Sequence, residues 1–444
     1  MTTSSPEATG SRWRRAATFG PGTAGAVRAG LVVLALTIGV NLANYLFQVV
    51  SARYLGPSDY GALAALLAVI LVAGLPFGAF QLVVARTVAH ERTHGRLEDA
   101  AAFARSALAL TAIGGLICAV VSIAAAQPIA DLLQVESPVP IMITGLCLLF
   151  AVMLPAGLGV LQGQERYVAY SAGPLLGAMS RLLALVMAVV VGLTLEGALV
   201  ATLLASFLAI TIVVWQGRTL LRAGMTHHHV RTALQQLRGP LARVLPPTVG
   251  LIGLASLTNV DIVVVKGALA PEDAGVFGAA GLIAKVALFV PVAIVAVLQP
   301  RVAARVAKGR TAGDILMRSA LVTAAFCALF TLACYAMPTT IVHAVYGSSF
   351  GDAAAILGEY ALFISMMSIV SVQVNYHLSR QRYRFGYVLG VAAVLHAITL
   401  VAFHDTLREV LWVNLAFGAV LLLTHELWVQ RTLVGLTRRG AAQA

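Results

Sequence analysis

The chain has 444 residues, 59% of them hydrophobic and only 11% charged, with a mean hydropathy of +0.90. A soluble protein needs a polar surface, usually with about a quarter of its residues charged, and 30 basic plus 18 acidic side chains are too few to supply one. Composition therefore excludes one large soluble domain, and the formal charge of +12 need not mean a nucleic-acid partner.

Residues 1–27, rich in Ser, Thr, Gly and Ala and carrying Arg12, Arg14 and Arg15, read as a disordered basic cytosolic tail. The apolar run that follows exceeds the 7–15 residues of a signal-peptide core, so it is expected to be a retained span. Apolar runs of about 20 residues, each long enough to cross a hydrocarbon core of about 30 Å, then recur along the chain. They place spans near 28–50, 61–85, 104–126, 138–160, 168–192, 197–216, 244–266, 275–299, 316–337, 353–377, 385–403 and 409–429. The resulting organisation is a six-helix half at 28–216, a cytosolic linker at 217–243, a second six-helix half at 244–430 and a cytosolic tail at 431–444. The fold class is all-α and polytopic.

Basic residues set the expected orientation. With a cytosolic N-terminus, the inward connections hold Arg92, Arg96, Arg166, Arg218, Arg222, Arg231, Arg238, Arg243, Arg301, Arg305, Lys308, Arg310, Arg380, Arg382 and Arg384. The outward connections are short and hold Asp59, Asp131, Glu136, Glu196, Glu272, Asp273, Asp352 and Asp405. Arg53, Lys266 and Arg408 are the basic exceptions on that side. This is the positive-inside pattern, and an even span count puts both termini in the cytosol. Cys118, Cys147, Cys327 and Cys334 lie in apolar runs at spacings unlike a metal site. The His227-His228-His229 run reads as solvated loop. No metal and no cofactor are expected.

A repeat crosses the two halves. Pro57, Asp59 and Gly61 stand 214 residues before Pro271, Asp273 and Gly275, each set between a span and an Ala-rich successor. Proline ends or shapes the turn, the acid can cap the next helix, and glycine permits close packing. Six spans separate the copies, so the halves share one orientation and are expected to be related by a pseudo-two-fold axis along the membrane normal, as in many transporters.

At these segments the chain resembles the polysaccharide-biosynthesis flippases of the multidrug/oligosaccharidyl-lipid/polysaccharide exporter superfamily. The stretches are Ala52-Arg53-Tyr54-Leu55-Gly56-Pro57-Ser58-Asp59-Tyr60-Gly61, Thr258-Asn259-Val260-Asp261 with Ala274-Gly275-Val276-Phe277, and Leu161-Gln162-Gly163-Gln164-Glu165-Arg166. The resemblance implies alternating-access export of a polyprenyl-diphosphate-linked oligosaccharide across the plasma (inner) membrane. A glycan polymerase or glycosyltransferases would be its functional partners. Related peptidoglycan-precursor flippases commonly carry fourteen spans, so twelve favours the surface-polysaccharide branch without excluding multidrug exporters.

Charges in hydrocarbon usually face protein or a wet cavity. Arg181 falls about 20 Å into the fifth span and Lys285 about 15 Å into the eighth, at 1.5 Å per residue. Both are candidates for gripping an anionic headgroup, Arg by its forked donors and Lys as a point charge. The structural alternative is that both fix helix packing, with Asp261 a possible partner for Lys285. Asp261 is also a candidate for proton or sodium coupling. Asn41, Asn44 and Gln48 share one face of the first span, and Gln81 adds a polar site in the second. They are expected either to line a cavity or to bond between helices. Three functions compete: lipid-linked glycan flippase, cation-coupled drug or small-solute antiporter, and membrane-integral glycan ligase or polymerase. Short outer connections leave the last little room for a catalytic domain.

Overall fold

The computed structural model describes residues 23–192, 194–223, 245–308 and 311–430. The tail to residue 22, the 224–244 connection with its three histidines, and residues 431–444 fall outside them. The described residues form α1 (Thr23–Thr93), α2 (Leu97–Ala124), α3 (Ala126–Leu132), α4 (Val139–Gly163), α5 (Tyr167–Val191) and α6 (Leu195–Leu221). They continue as α7 (245–257), α8 (Val260–Ala268), α9 (Pro271–Ala284), α10 (Phe289–Ala307), α11 (Gly313–Ala336), α12 (Pro338–Tyr346), α13 (Ala354–Ser379), α14 (Arg384–Ala402) and α15 (Leu407–Thr424).

Eleven described helical stretches are long and apolar enough to cross a membrane, and the first, Val32–Thr93, holds two spans. Gly56 breaks it with φ 76 and ψ 174, a backbone state open to glycine, and Pro57 follows as the first residue of span 2. Asn44 and Gln48 before the break line one cavity with Ala64, Ala68 and Leu71 after it, so the chain doubles back there. Twelve spans result. The fold is an all-α polytopic bundle of two six-helix halves, and α1 begins at Thr23, inside the segment expected to be tail. Large apolar side chains such as Val190 (78% exposed), Val191 (87%) and Leu329 (69%) cover the outside, as a lipid-facing surface requires.

Local features recur at corresponding places in the halves. The short helices α3 and α12 follow spans 3 and 9; at seven and nine residues they are too short to stand out from the connections. Spans 6 and 12 both open on a threonine cap: Thr194 Oγ1 accepts from Gly197 N–H and Thr406 Oγ1 from Glu409 N–H, each at 3.2 Å. Spans 4 and 10 both end in a left-handed residue, Glu165 (φ 58) and Gln381 (φ 55). There the Arg166 and Arg382 N–H groups return to the Leu161 and His377 carbonyls at 3.0 Å, in the Schellman manner.

The proposed turn residues take parts that differ from the expectation in one respect. Pro271 opens α9, with Glu272 and Asp273 in its first turn, but no side chain caps that helix by a hydrogen bond. The acids there act through charge near the helix N-terminus. Gly61 and Gly275 lie against each other across the two halves: a Cβ on Gly61 would sit 2.6 Å from Gly275 N, and one on Gly275 only 1.9 Å from the Pro57 carbonyl oxygen.

The extensive contacts between halves run from α1 to α8, α9, α12 and the 348–353 turn. All of these lie toward the face that carries the Gly56 break, here termed the distal face. The opposite face, carrying the chain ends, is the terminal face. Tyr60 reinforces the distal contact by packing on Phe350 edge-on at 5.8 Å and on Tyr346 at 6.4 Å. Toward the terminal face α10 packs instead on α11 and α13, within its own half.

Span 8 changes pitch on the way. A 3₁₀ turn at Lys285–Leu288 separates α9 from α10. Pro291 has no N–H for the carbonyl of residue 287, and Ser368 Oγ on α13 donates to that oxygen at 3.0 Å. The same hydroxyl lies 2.9 Å from the Ile364 carbonyl of its own helix, so its one proton is shared between the two oxygens.

Candidate functional site

A cavity of about 380 Å³ lies between the halves. Its wall takes Asn44 and Gln48 from span 1, Arg181 from span 5, Thr202 and Ser206 from span 6, Asn259 from span 7, Lys285 from span 8 and Tyr360 from span 10. Arg181 and Lys285 therefore reach one space from opposite halves.

Neither cation has a carboxylate. Among the described residues no ion pair within 4 Å involves either of them. Arg181 donates from Nε to Thr202 Oγ1 at 3.1 Å and from Nη1 to Asn44 Oδ1 at 3.4 Å, while its Cζ lies 3.6 Å from the centre of the Phe47 ring. Its Nη2 is buried without a partner. A guanidinium held by neutral oxygens and an aromatic face keeps its full charge and a spare donor. Lys285 donates to Asn259 Oδ1 at 2.9 Å. The pairing of Lys285 with Asp261 is not made, because depth along a helix does not fix which way a side chain points.

Asp261 lies outside the cavity wall. It is fully buried, and its Oδ2 accepts from Tyr360 O–H at 2.7 Å and from Asn414 Nδ2 at 3.0 Å. Oδ1 accepts from Ile262 N–H at 2.9 Å. Asn414 in turn offers Oδ1 to His396 Nε2 at 2.7 Å, which places that ring's proton on Nε2. A carboxylate with three donors is well satisfied, and of these residues Tyr360 and Ile262 touch the cavity while Asp261, Asn414 and His396 do not line it.

The remaining polar candidates divide. Asn44 and Gln48 line the cavity, whereas Asn41 is half-buried outside its wall. Gln81 bonds Gln162 at 3.1 Å and Tyr170 at 3.3 Å, tying spans 2, 4 and 5 within one half. Pro57, Asp59, Gly61, Pro271, Asp273 and Gly275 lie at the distal contact and not on the cavity. Sequence reasoning missed Phe47, Thr202, Ser206, Asn259 and Tyr360. Asn259, two before Asp261, carried a readable signal in its spacing, whereas Thr202 and Ser206 in span 6 back-bond to their own helix and read as ordinary hydroxyls.

No curated protein sequence matches the chain at a significant level. A family model described as polysaccharide biosynthesis protein matches residues 26–305. Among solved structures, an inward-facing multidrug resistance MATE family transporter of the MOP superfamily is similar with a TM-score of 0.70 at 14% identity, covering 92% of this chain and 99% of that one. The lipid II flippase MurJ in an inward closed conformation gives 0.67 at 12% identity, covering 91% and 89%. A Vibrio cholerae MATE transporter gives 0.55 at 16%, covering 90% and 97%. These likenesses concern the fold; the family rests on the match over more than half of the chain. The chain thus belongs to the polysaccharide biosynthesis protein family, built on the fold of the MOP-superfamily transporters.

Proposed function

We propose that the protein flips a polyprenyl-diphosphate-linked oligosaccharide across the membrane by alternating access, for surface polysaccharide synthesis. Family and fold together make it a transporter rather than a catalyst. The observation that carries the substrate reading is the pair Arg181 and Lys285: one cation from each half, on one cavity, without a carboxylate on either. Such charges are costly in a membrane interior, and an anionic headgroup is the ligand that would repay them. The basic bias of the connections assigns the terminal face to the cytosol of a plasma (inner) membrane. In this reading the halves are 28–216 and 244–430 joined by a cytosolic linker, and a glycan polymerase or glycosyltransferases would be the partners for the delivered glycan.

Coupling to a proton or sodium gradient would fall to Asp261, which reaches the cavity through Tyr360. A cation-coupled drug or small-solute antiporter is the second reading, favoured by that same buried acid.

Reconstitution in sealed liposomes with a fluorescent polyprenyl-diphosphate oligosaccharide tests both. Native chain should move the lipid between leaflets. Arg181→Ala and Lys285→Ala should each lower transfer by about 10- to 100-fold, equivalent to a lost charged hydrogen bond of about 1.5–3 kcal/mol, with folding intact. Full transfer by the Arg181→Ala/Lys285→Ala double variant would defeat the headgroup site. No native transfer under imposed proton and sodium gradients would favour the antiporter.

A further inference from the structure

Two contacts at the distal face repeat one another with the halves exchanged. At the end of span 1, Arg53 donates from Nε to the Val345 carbonyl at 2.6 Å and from Nη2 to the Ala344 carbonyl at 2.8 Å. These oxygens belong to the last turn of α12 in the other half, where carbonyls lack helical partners and the helix dipole is negative. At the end of span 7, Lys266 donates from Nζ to the Gln134 carbonyl at 3.4 Å, just beyond α3 of the first half. Gln134 Nε2 answers by donating to the Gly267 carbonyl at 3.2 Å. Gly267 stands 214 residues after Arg53, and α3 and α12 follow corresponding spans.

The two donors are also exceptions in the charge pattern. Arg53 and Lys266 are two of the three basic residues on a face otherwise supplied with acids. Neither meets a carboxylate within 4 Å among the described residues. Arg53 instead holds the carbonyl end of α12, and Lys266 the carbonyl just beyond α3, each in the opposite half.

We propose that these are paired latches that hold the distal face shut, so that Arg53 and Lys266 set the balance between the two access states. The inference rests on the alternating-access reading. The glycine seam gives the halves their fit, and the latches keep them together. Both must release before the cavity opens to the distal face.

Hydrogen–deuterium exchange on the full chain in lipid nanodiscs tests this without any substrate. Arg53→Gln and Lys266→Met should each speed exchange at 126–138 and 338–353 by about tenfold, and the double variant by more. At the same time exchange should slow at the terminal-face ends of spans 2 and 8, as the population shifts toward closure there. Arg53→Lys, which retains one charged donor, should fall between native and Arg53→Gln. Exchange that rises on both faces alike would mean general loosening and would overturn the proposal, as would no change at the distal face. If the native chain moves no glycan but the opposed exchange changes appear, the substrate reading fails and the latches stand.

Discussion

The two halves build their buried polar clusters on corresponding spans, 1, 5 and 6 in one and 7, 11 and 12 in the other. The first joins Asn44, Arg181 and Thr202; the second joins Asp261, His396 and Asn414. The scaffold is shared but the central charge is reversed. Satisfaction differs as well. Asp261 accepts three hydrogen bonds, whereas Arg181 has two neutral acceptors and a buried nitrogen with none. A saturated group holds helices together, while an undersatisfied one is available to a ligand. The hydrogen bonding of the Asp261 cluster suits it to hold helices, and that of Arg181 leaves a donor for a ligand.

That contrast breaks most sharply on stability. Asp261→Ala removes the acceptor of Tyr360, Asn414 and the Ile262 N–H at once, and should cost about 3–5 kcal/mol. Arg181→Met keeps the volume and removes a poorly paired charge, and should cost under about 1 kcal/mol or stabilise the fold. Thermal unfolding in detergent measures both, and equal losses would erase the distinction. The glycine seam comes next. Gly275→Ala meets a backbone carbonyl that cannot step aside, and should cost about 2–3 kcal/mol in overpacking. Gly61→Ala, with 2.6 Å to its nearest neighbour, should cost less. The reverse order in the same unfolding assay would show that the seam relaxes unevenly. The smallest effect lies in the repeated helix ends. Glu165→Gly and Gln381→Gly should each stabilise by about 0.5–1 kcal/mol, because glycine adopts the left-handed state at no steric cost. A loss in either would show that its side chain contributes more than the backbone strain it carries.

The spans were legible because twenty apolar residues in a row have few alternatives to a membrane, and each of the twelve appears near its expected place. Arg181 and Lys285 were legible for the same reason, as charges deep within such runs. Thr202 and Ser206 were not. Both also donate to carbonyls of their own helix, at Ala198 and Thr202, so their sequence looks like ordinary helix-lining hydroxyls. Asp261 was read as a possible partner of Lys285, and the two are not within 4 Å, since axial depth leaves the direction around the helix open. His396 and Asn414 sit 18 residues apart on adjacent spans, with Asn414 153 residues beyond Asp261. Nothing local in the sequence announces that they meet. Gln81 shows the converse: a polar residue within an apolar run that bonds helices instead of lining the cavity.

Where Gly275 meets the Pro57 carbonyl, two backbones touch with no space for a water molecule between them. In the access state where the cavity opens to the terminal face, the insulating layer would be the short stretch of protein between the cavity and the distal face, not the full bilayer. A transmembrane voltage, worth about 2.3 kcal/mol per unit charge per 100 mV, falls mainly across that layer. In that state Arg181 and Lys285 would sit near the electrical potential of the terminal side. An ion or headgroup that reaches them crosses little of the field, and the work of crossing is done only when the insulating layer changes sides.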